Sequence, residues 1–227
     1  MSYFNTKIEE LILETESNIY DLEKMIFSGH YNFLNKDFKI LSKQSVVILY
    51  SFWEGFIQDA FNIFLKEVDG SINTYFELNN NFMVYQIEKK FPQFEHYPQN
   101  NKKKFQFHES YFGLLVEKKH NIQFNVDLKN NVGLEVLNNL LEVHGITIIK
   151  EHWKEKGYSH PNLTVKQLLN KILYIRNNTA HGNKVMTNVI IEQVEFEQYK
   201  RLIIDLMHEL GKLFIECINN KNYLKSS

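Results

Sequence analysis

The chain has 227 residues, 44% of them hydrophobic and 23% charged, with a net charge of −1. That composition excludes a disordered chain, and the near-zero charge excludes a general attraction to nucleic acid, so any such binding must rest on a local patch. Nine glycines and three prolines are too few for a turn-rich β sandwich, and one cysteine, Cys217, permits neither an internal disulfide nor a cysteine-based zinc site.

A chain of this length can bury a full core without staples. The start, Met1-Ser2-Tyr3-Phe4, has no basic stretch followed by an apolar one, so no secretion signal is expected. The longest apolar uncharged run, between Lys43 and Glu54, is ten residues, about half of what a membrane helix needs. A cytoplasmic protein with no membrane partner is expected.

The first predicted helix opens at Thr6, which forms a capping-box pattern with Glu9. Ile8, Leu11, Ile12, Ile19, Leu22 and Ile26 recur at helical spacing, and Ser28-Gly29 ends the element. A longer helix is predicted over 36–68. Leu41, Ile48, Leu49, Phe52, Phe56 and Ile63 hold one face, and Val46, Tyr50, Trp53, Ile57, Phe61 and Phe64 another. A helix apolar on most sides is buried among several neighbours. A narrow polar stripe, Ser51, Glu54 and Gln58, runs between the two faces.

Residues 69–163 are less regular. Phe91-Pro92, Tyr97-Pro98 and the Lys102-Lys103-Lys104 run interrupt the periodicity. Helices are expected near 110–119 and 127–143, the latter from Leu134, Leu137, Leu140 and Leu141. The apolar content is too scattered for a second core, so the segment reads as an insertion in one domain spanning 1–227.

Thr164 and Gln167 form a second capping box, and Val165, Leu168, Leu169, Ile172 and Ile175 follow at helical spacing. This helix should end within Asn177–Gly182, where two asparagines and a glycine weaken it. A final helix over about 190–220 carries Tyr199, Leu202, Ile203, Leu206, Leu210, Leu213, Phe214 and Cys217 on one face. The expected architecture is an all-α bundle of four main helices with a partly helical middle insertion.

The chemistry is concentrated at the end of the penultimate helix. Arg176 continues the apolar stripe of Val165, Leu169 and Ile172. A guanidinium there is costly unless it is paired or faces a polar cleft or an anion, and Glu54 is a candidate counter-charge. Arg176 is also one of only two arginines in the chain. His181 follows where the helix should unwind, and Gly182 permits a sharp turn that can carry it toward the same cleft. Such a pair suits phosphodiester chemistry: the guanidinium clamps phosphate oxygens, imidazole moves a proton at neutral pH, and RNA supplies its own 2′-hydroxyl nucleophile. By spacing alone an Arg and a His five apart are also consistent with a helix-end arginine and a capping histidine.

The stretch Arg176-Asn177-Asn178-Thr179-Ala180-His181-Gly182 resembles the R-x4–6-H motif of the HEPN superfamily of small helical proteins. A polar residue after the arginine, here Asn177, is typical of its ribonuclease members. Residues 46–61, with the Trp53-Glu54 pair, resemble the bacterial HEPN branch related to RiboL-PSP-type proteins. The resemblance covers 36–68 and 164–218. It implies a homodimer in which each copy gives one Arg and one His to a shared cleft. It further implies cofactor-free, metal-independent cleavage of RNA to a 2′,3′-cyclic phosphate and a 5′-hydroxyl. Carried over, Arg176 is the phosphate clamp, His181 the acid–base group, Asn177 an orienting residue and Glu54 a supporting acid. The setting it implies is a bacterial toxin–antitoxin pair or anti-phage defence, with an antitoxin or a defence-complex subunit as partner. The alternative is a catalytically silent HEPN scaffold that binds nucleotide, RNA or a partner protein.

Other clusters carry less. Lys102, Lys103 and Lys104, followed by Phe105 and Phe107, can grip an RNA backbone and stack bases, although lysine runs often simply solvate a loop. His144, His152 and His160 are spaced by eight, which matches no zinc pattern, so no metal site is expected.

Overall fold

A computed structural model describes residues 2–28, 35–116, 122–124, 126–128, 131–153 and 163–225. Seven α-helices lie among them: α1 Tyr3–Phe27, α2 Asn35–Ser71, α3 Asn80–Lys90, α4 Asn101–Val116, α5 Leu134–Val143, α6 Val165–Ala180 and α7 Gln193–Asn220. No strand lies among the described residues, apart from an isolated antiparallel bridge between Leu78 and Leu224. The all-α architecture read from periodicity is therefore observed. Among the described residues, no helix is long and apolar enough to cross a membrane.

The axis of the bundle is α2, which packs against α1, α6 and α7. Its apolar residues cover most of its circumference, and Val46, Leu49, Trp53, Ile57, Phe61, Phe64 and Leu65 are all fully buried. At 1.5 Å per residue its 37 residues span about 55 Å. It is long enough to receive the other main helices at different levels.

The first helix starts one turn earlier than its capping-box pattern suggests. Ser2, not Thr6, is the N-cap: its hydroxyl oxygen accepts the Asn5 N–H at 3.2 Å. Phe4 extends the stripe of Ile8 and Ile12 by one turn and is buried with them, so continuing the helix adds core contact. Thr6 lies inside the helix and its hydroxyl donates to the Ser2 carbonyl. The expected ending at Ser28 is observed, and Gly29 lies outside the described residues.

Two contacts tie α1 to α7. Gly211 lets the helices approach, since a Cβ there would sit 2.8 Å from Ile12 Cδ1 and 3.2 Å from Ile8 Cγ2. Lys200, almost fully buried, bridges Glu23 of α1 at 2.6 Å and Glu197 of its own helix at 2.5 Å, and it stands 4.7 Å over the Tyr20 ring. Burial alone would lower the Lys200 pKa. The hydrogen bonds to Glu197 and Glu23 outweigh it and hold the ammonium above its usual range.

The middle segment departs most from expectation. The helix predicted over 110–119 is observed as Asn101–Val116 and takes in the lysine run. Lysine is a good helix former, and the Asn100 side-chain oxygen caps the start by accepting the Lys102 N–H at 2.9 Å. Phe107 and Tyr111, four apart, then pack edge-on against Phe91 and Phe94. The helix predicted over 127–143 begins only at Leu134, with Gly133 as its N-cap. The backbone before it is held in non-helical form by side chains of α2.

The buried residues of this segment join the bundle's own cluster, through Ile72, Tyr75, Leu78, Phe82, Leu137 and Leu141 among others. His144 is fully buried at that seam. Its ring contacts Phe61 and Phe64 of α2 and Phe82 and Tyr85 of α3. Cys217 is buried on α7, and burial pushes its thiol up to about 12, so it is an inert packing residue.

Candidate active site

The capping box at Thr164 and Gln167 starts α6 as expected, with both reciprocal hydrogen bonds formed. The helix ends at Ala180. His181 is the C-cap, and Gly182 takes the left-handed conformation at φ 62°. The Gly182 N–H donates to the Thr179 carbonyl at 3.1 Å and the Asn183 N–H to the Asn178 carbonyl at 2.9 Å. This is a Schellman ending, which a glycine in that position allows without a Cβ penalty. It leaves the His181 side chain exposed at the helix end. Among the described residues, its ring has no hydrogen-bond partner.

Arg176 sits one and a half turns before that end and is half-buried. Its guanidinium lies 5.1 Å over the centre of the Tyr50 ring of α2. One Nη1–H donates to Asn177 Oδ1 at 2.8 Å. Asn177 Nδ2 in turn donates to Asn131 Oδ1 at 3.3 Å. Asn131 belongs to the stretch just before α5, and α2 clamps that stretch at the next residue. The Val132 N–H donates to the Tyr50 hydroxyl oxygen at 2.6 Å, and Trp53 Nε1–H donates to the Val132 carbonyl at 3.2 Å. A closed circuit therefore holds the arginine: Tyr50 fixes both the guanidinium and the 131–133 backbone, and Asn131 fixes the amide that orients the guanidinium.

Glu54 is not the counter-charge of Arg176. Among the described residues, no ion pair includes either side chain. Stacking on Tyr50 and the neutral amide of Asn177 provide for the guanidinium instead. Glu54 is half-buried one turn after Tyr50 and acts on the same hydroxyl group. Burial, the largest effect, pushes the Tyr50 hydroxyl up to about 12; the Val132 hydrogen bond and Arg176 oppose the rise and Glu54 adds to it. Tyr50 is therefore neutral at physiological pH.

A guanidinium has five N–H donors. Only one of them meets a protein acceptor among the described residues, and no carboxylate neutralises the charge. Such a group is suited to a phosphate, which takes two parallel donors and a full charge. The geometry thus brings Arg176, Asn177, Tyr50 and Asn131 together and places Glu54 beside them. His181 stands apart at the exposed cap. Five residues of helix carry it about 140° round the axis from Arg176.

The lysine run does not join this group. Successive residues on a helix point about 100° apart, so the three lysines diverge. Lys102 is exposed, Lys103 lines a cavity with Phe91 and His96, and Lys104 rests 5.4 Å over the Tyr97 ring. Their helix, α4, is not among the main neighbours of α6, which are α2, α5 and α7. Among the described residues, no cluster of three or more His, Cys, Asp or Glu is placed to hold a metal ion.

Sequence reasoning missed Tyr50 and Asn131. Tyr50 reads as one more apolar position in α2, and nothing in the sequence links Asn131 to a residue 46 positions later. The available signal was the Tyr50-x-x-Trp53 spacing, which puts two polar-tipped aromatics on one face of a buried helix, where each needs a partner.

A helical bundle with an Arg/His pair at the end of its penultimate helix is the arrangement expected of a HEPN protein, a superfamily that includes nucleases and RNA-binding proteins. A family model described as HEPN_MAE_28990:/-like HEPN matches residues 7–223, and the chain belongs to that family. Comparison with curated proteins and with solved structures gives no match.

Proposed function

We propose that the protein is a metal-independent endoribonuclease of the HEPN type. The observation that carries this reading is Arg176, half-buried and rigidly seated, with no carboxylate partner among the described residues and most of its donors unused. Its donors clamp the non-bridging oxygens of the scissile phosphate and stabilise the charge that builds as the 2′-hydroxyl attacks. The imidazole of His181 moves the proton, either from the 2′-hydroxyl or to the departing 5′-oxygen. Asn177 holds the clamp in register, and Glu54 supports it through the field at Tyr50.

The reading includes a homodimer. Within one copy Arg176 and His181 diverge around the helix, which favours a site completed by a second copy over one built from a single chain. Light scattering on the purified protein is expected to give about twice the 27.1 kDa of one chain. The cellular setting that fits is a bacterial toxin–antitoxin pair or an anti-phage defence complex.

The test is RNA cleavage in excess EDTA by the wild type beside His181→Ala. Cleavage by the wild type only, with 2′,3′-cyclic phosphate ends, is the expected result. Equal cleavage by both removes His181 from the mechanism. Binding of RNA without cleavage by a folded dimer favours the silent scaffold, which the unpartnered ring of His181 also fits.

A further inference from the structure

A cavity that the Arg/His motif does not account for begins about one turn along α6 from Arg176, at Thr179. On α2, Lys39, Lys43, Tyr50 and Glu54 fall within about 60° of one another round the axis, and so form a single stripe. Arg176 lies over Tyr50 in that stripe. Towards the start of α2, the stripe opens into a cavity of about 460 Å³ lined by Lys39, Lys43, Gln44, Thr179 and Asn183, among others. One wall is α2 and the other is the end of α6 with the turn that follows it.

Both lysines are seated on neutral oxygens. Lys39 Nζ donates to Asn188 Oδ1 at 3.1 Å and Lys43 Nζ to the Met186 carbonyl at 2.8 Å. An ammonium has three donors, so each lysine keeps two beyond that bond. Among the described residues, no carboxylate pairs with either. The α6 carbonyls that could repel an anion here are already capped by the backbone N–H groups of His181, Gly182 and Asn183.

We propose that Lys39 and Lys43 form a backbone subsite for the nucleotide adjoining the scissile one, resting on the reading of Arg176 as the scissile-phosphate clamp. One phosphate sits on Arg176 and the neighbouring one on the lysines. Lys43 lies about 10 Å and Lys39 about 16 Å along the helix from Tyr50. Lysines act as point charges on phosphate, so this grip is sequence-independent.

The experiment measures binding of a 2′-O-methyl tetranucleotide, which cannot be cleaved, as salt is raised. Wild type is compared with Lys39→Gln, Lys43→Gln and the double variant. Each lysine substitution is expected to lower the slope of log K on log salt by about 0.7. In the double variant, the preference for the tetranucleotide over a dinucleoside monophosphate should fall by roughly tenfold. An unchanged slope in the double variant overturns the proposal. So does an equal loss at both lengths with a lowered melting temperature, because the lysines would then only brace the 183–189 turn. Failure to bind any oligonucleotide overturns both the subsite and the enzyme reading. A changed slope in a protein that never cleaves RNA leaves the subsite standing and removes the ribonuclease.

Discussion

Tyr50 links the stability of the protein to the geometry of its arginine. The ring carries the Arg176 guanidinium, while the hydroxyl oxygen accepts the Val132 N–H. Tyr50→Phe keeps the ring and removes the acceptor, leaving a buried backbone donor without a partner. Urea denaturation is expected to show a loss of about 2 kcal/mol. Tyr50→Leu removes the stacking as well and should cost more. If Tyr50→Phe is as stable as the wild type, the Val132 hydrogen bond is not what anchors the 131–133 stretch. The two flanking readings fared differently. Arg176 was legible because a charge on an apolar stripe demands an explanation. The pairing with Glu54 did not form, because an aromatic face and an amide already hold the guanidinium.

At the scale of elements, the crossing of α1 and α7 depends on a missing side chain. Gly211 faces Ile8 and Ile12, and an alanine there would place its Cβ 2.8 Å from Ile12 Cδ1. The Ile12 tip can shift, but Ile8 Cγ2 at 3.2 Å is a less mobile neighbour. Gly211→Ala is therefore expected to destabilise the protein by about 1–3 kcal/mol, against the gain an alanine normally brings to a helix. A raised melting temperature would show that the helices separate freely at this point. The helix ends show how local signals compete with burial. The capping box at Thr164 sets the start of α6 because Val165 is the first apolar residue in its stripe. The similar pattern at Thr6 is overridden because Phe4 lies upstream and is drawn into the core.

At the scale of the whole molecule, His144 joins the middle segment to the bundle and makes that seam sensitive to acid. Its ring is enclosed by aromatics; Nδ1 lies 2.6 Å from the Leu140 carbonyl, so it carries the proton, and Nε2 has no partner. Burial, the largest cause, lowers its pKa from 6.5 to about 4. The folded-state value lies below the unfolded one, so the neutral ring's contribution is fully present above pH 6.5. It is lost progressively as the pH falls toward 4, because only the unfolded chain takes up the proton readily. The shift corresponds to about 3 kcal/mol in total. Denaturation at pH 7.5 and pH 4 should show the stability difference between wild type and His144→Leu shrinking by about that amount. A difference independent of pH would mean that the ring is reached by water or protonated in the fold.

The helices and the Arg/His motif were legible in the sequence because both are local. Periodicity of apolar residues, capping boxes and a glycine after a histidine act over a few positions, and α2, α6 and α7 follow from them closely. The seating of Arg176 was not legible, because its partners Tyr50 and Asn131 lie far along the chain and meet it only when α2 and the 131–133 stretch pack together. The same holds for the middle segment. Its proline-aromatic and lysine-rich pieces break the pattern locally, yet they fold because edge-on aromatic contacts between the turn after α3 and α4 and the enclosure of His144 supply the burial that no single piece has. The sequence by itself determined the main helices of the bundle and singled out Arg176 and His181 as the candidate site residues. Only the tertiary structure decided what holds them, because burial and hydrogen-bond pairing between distant segments are settled by packing.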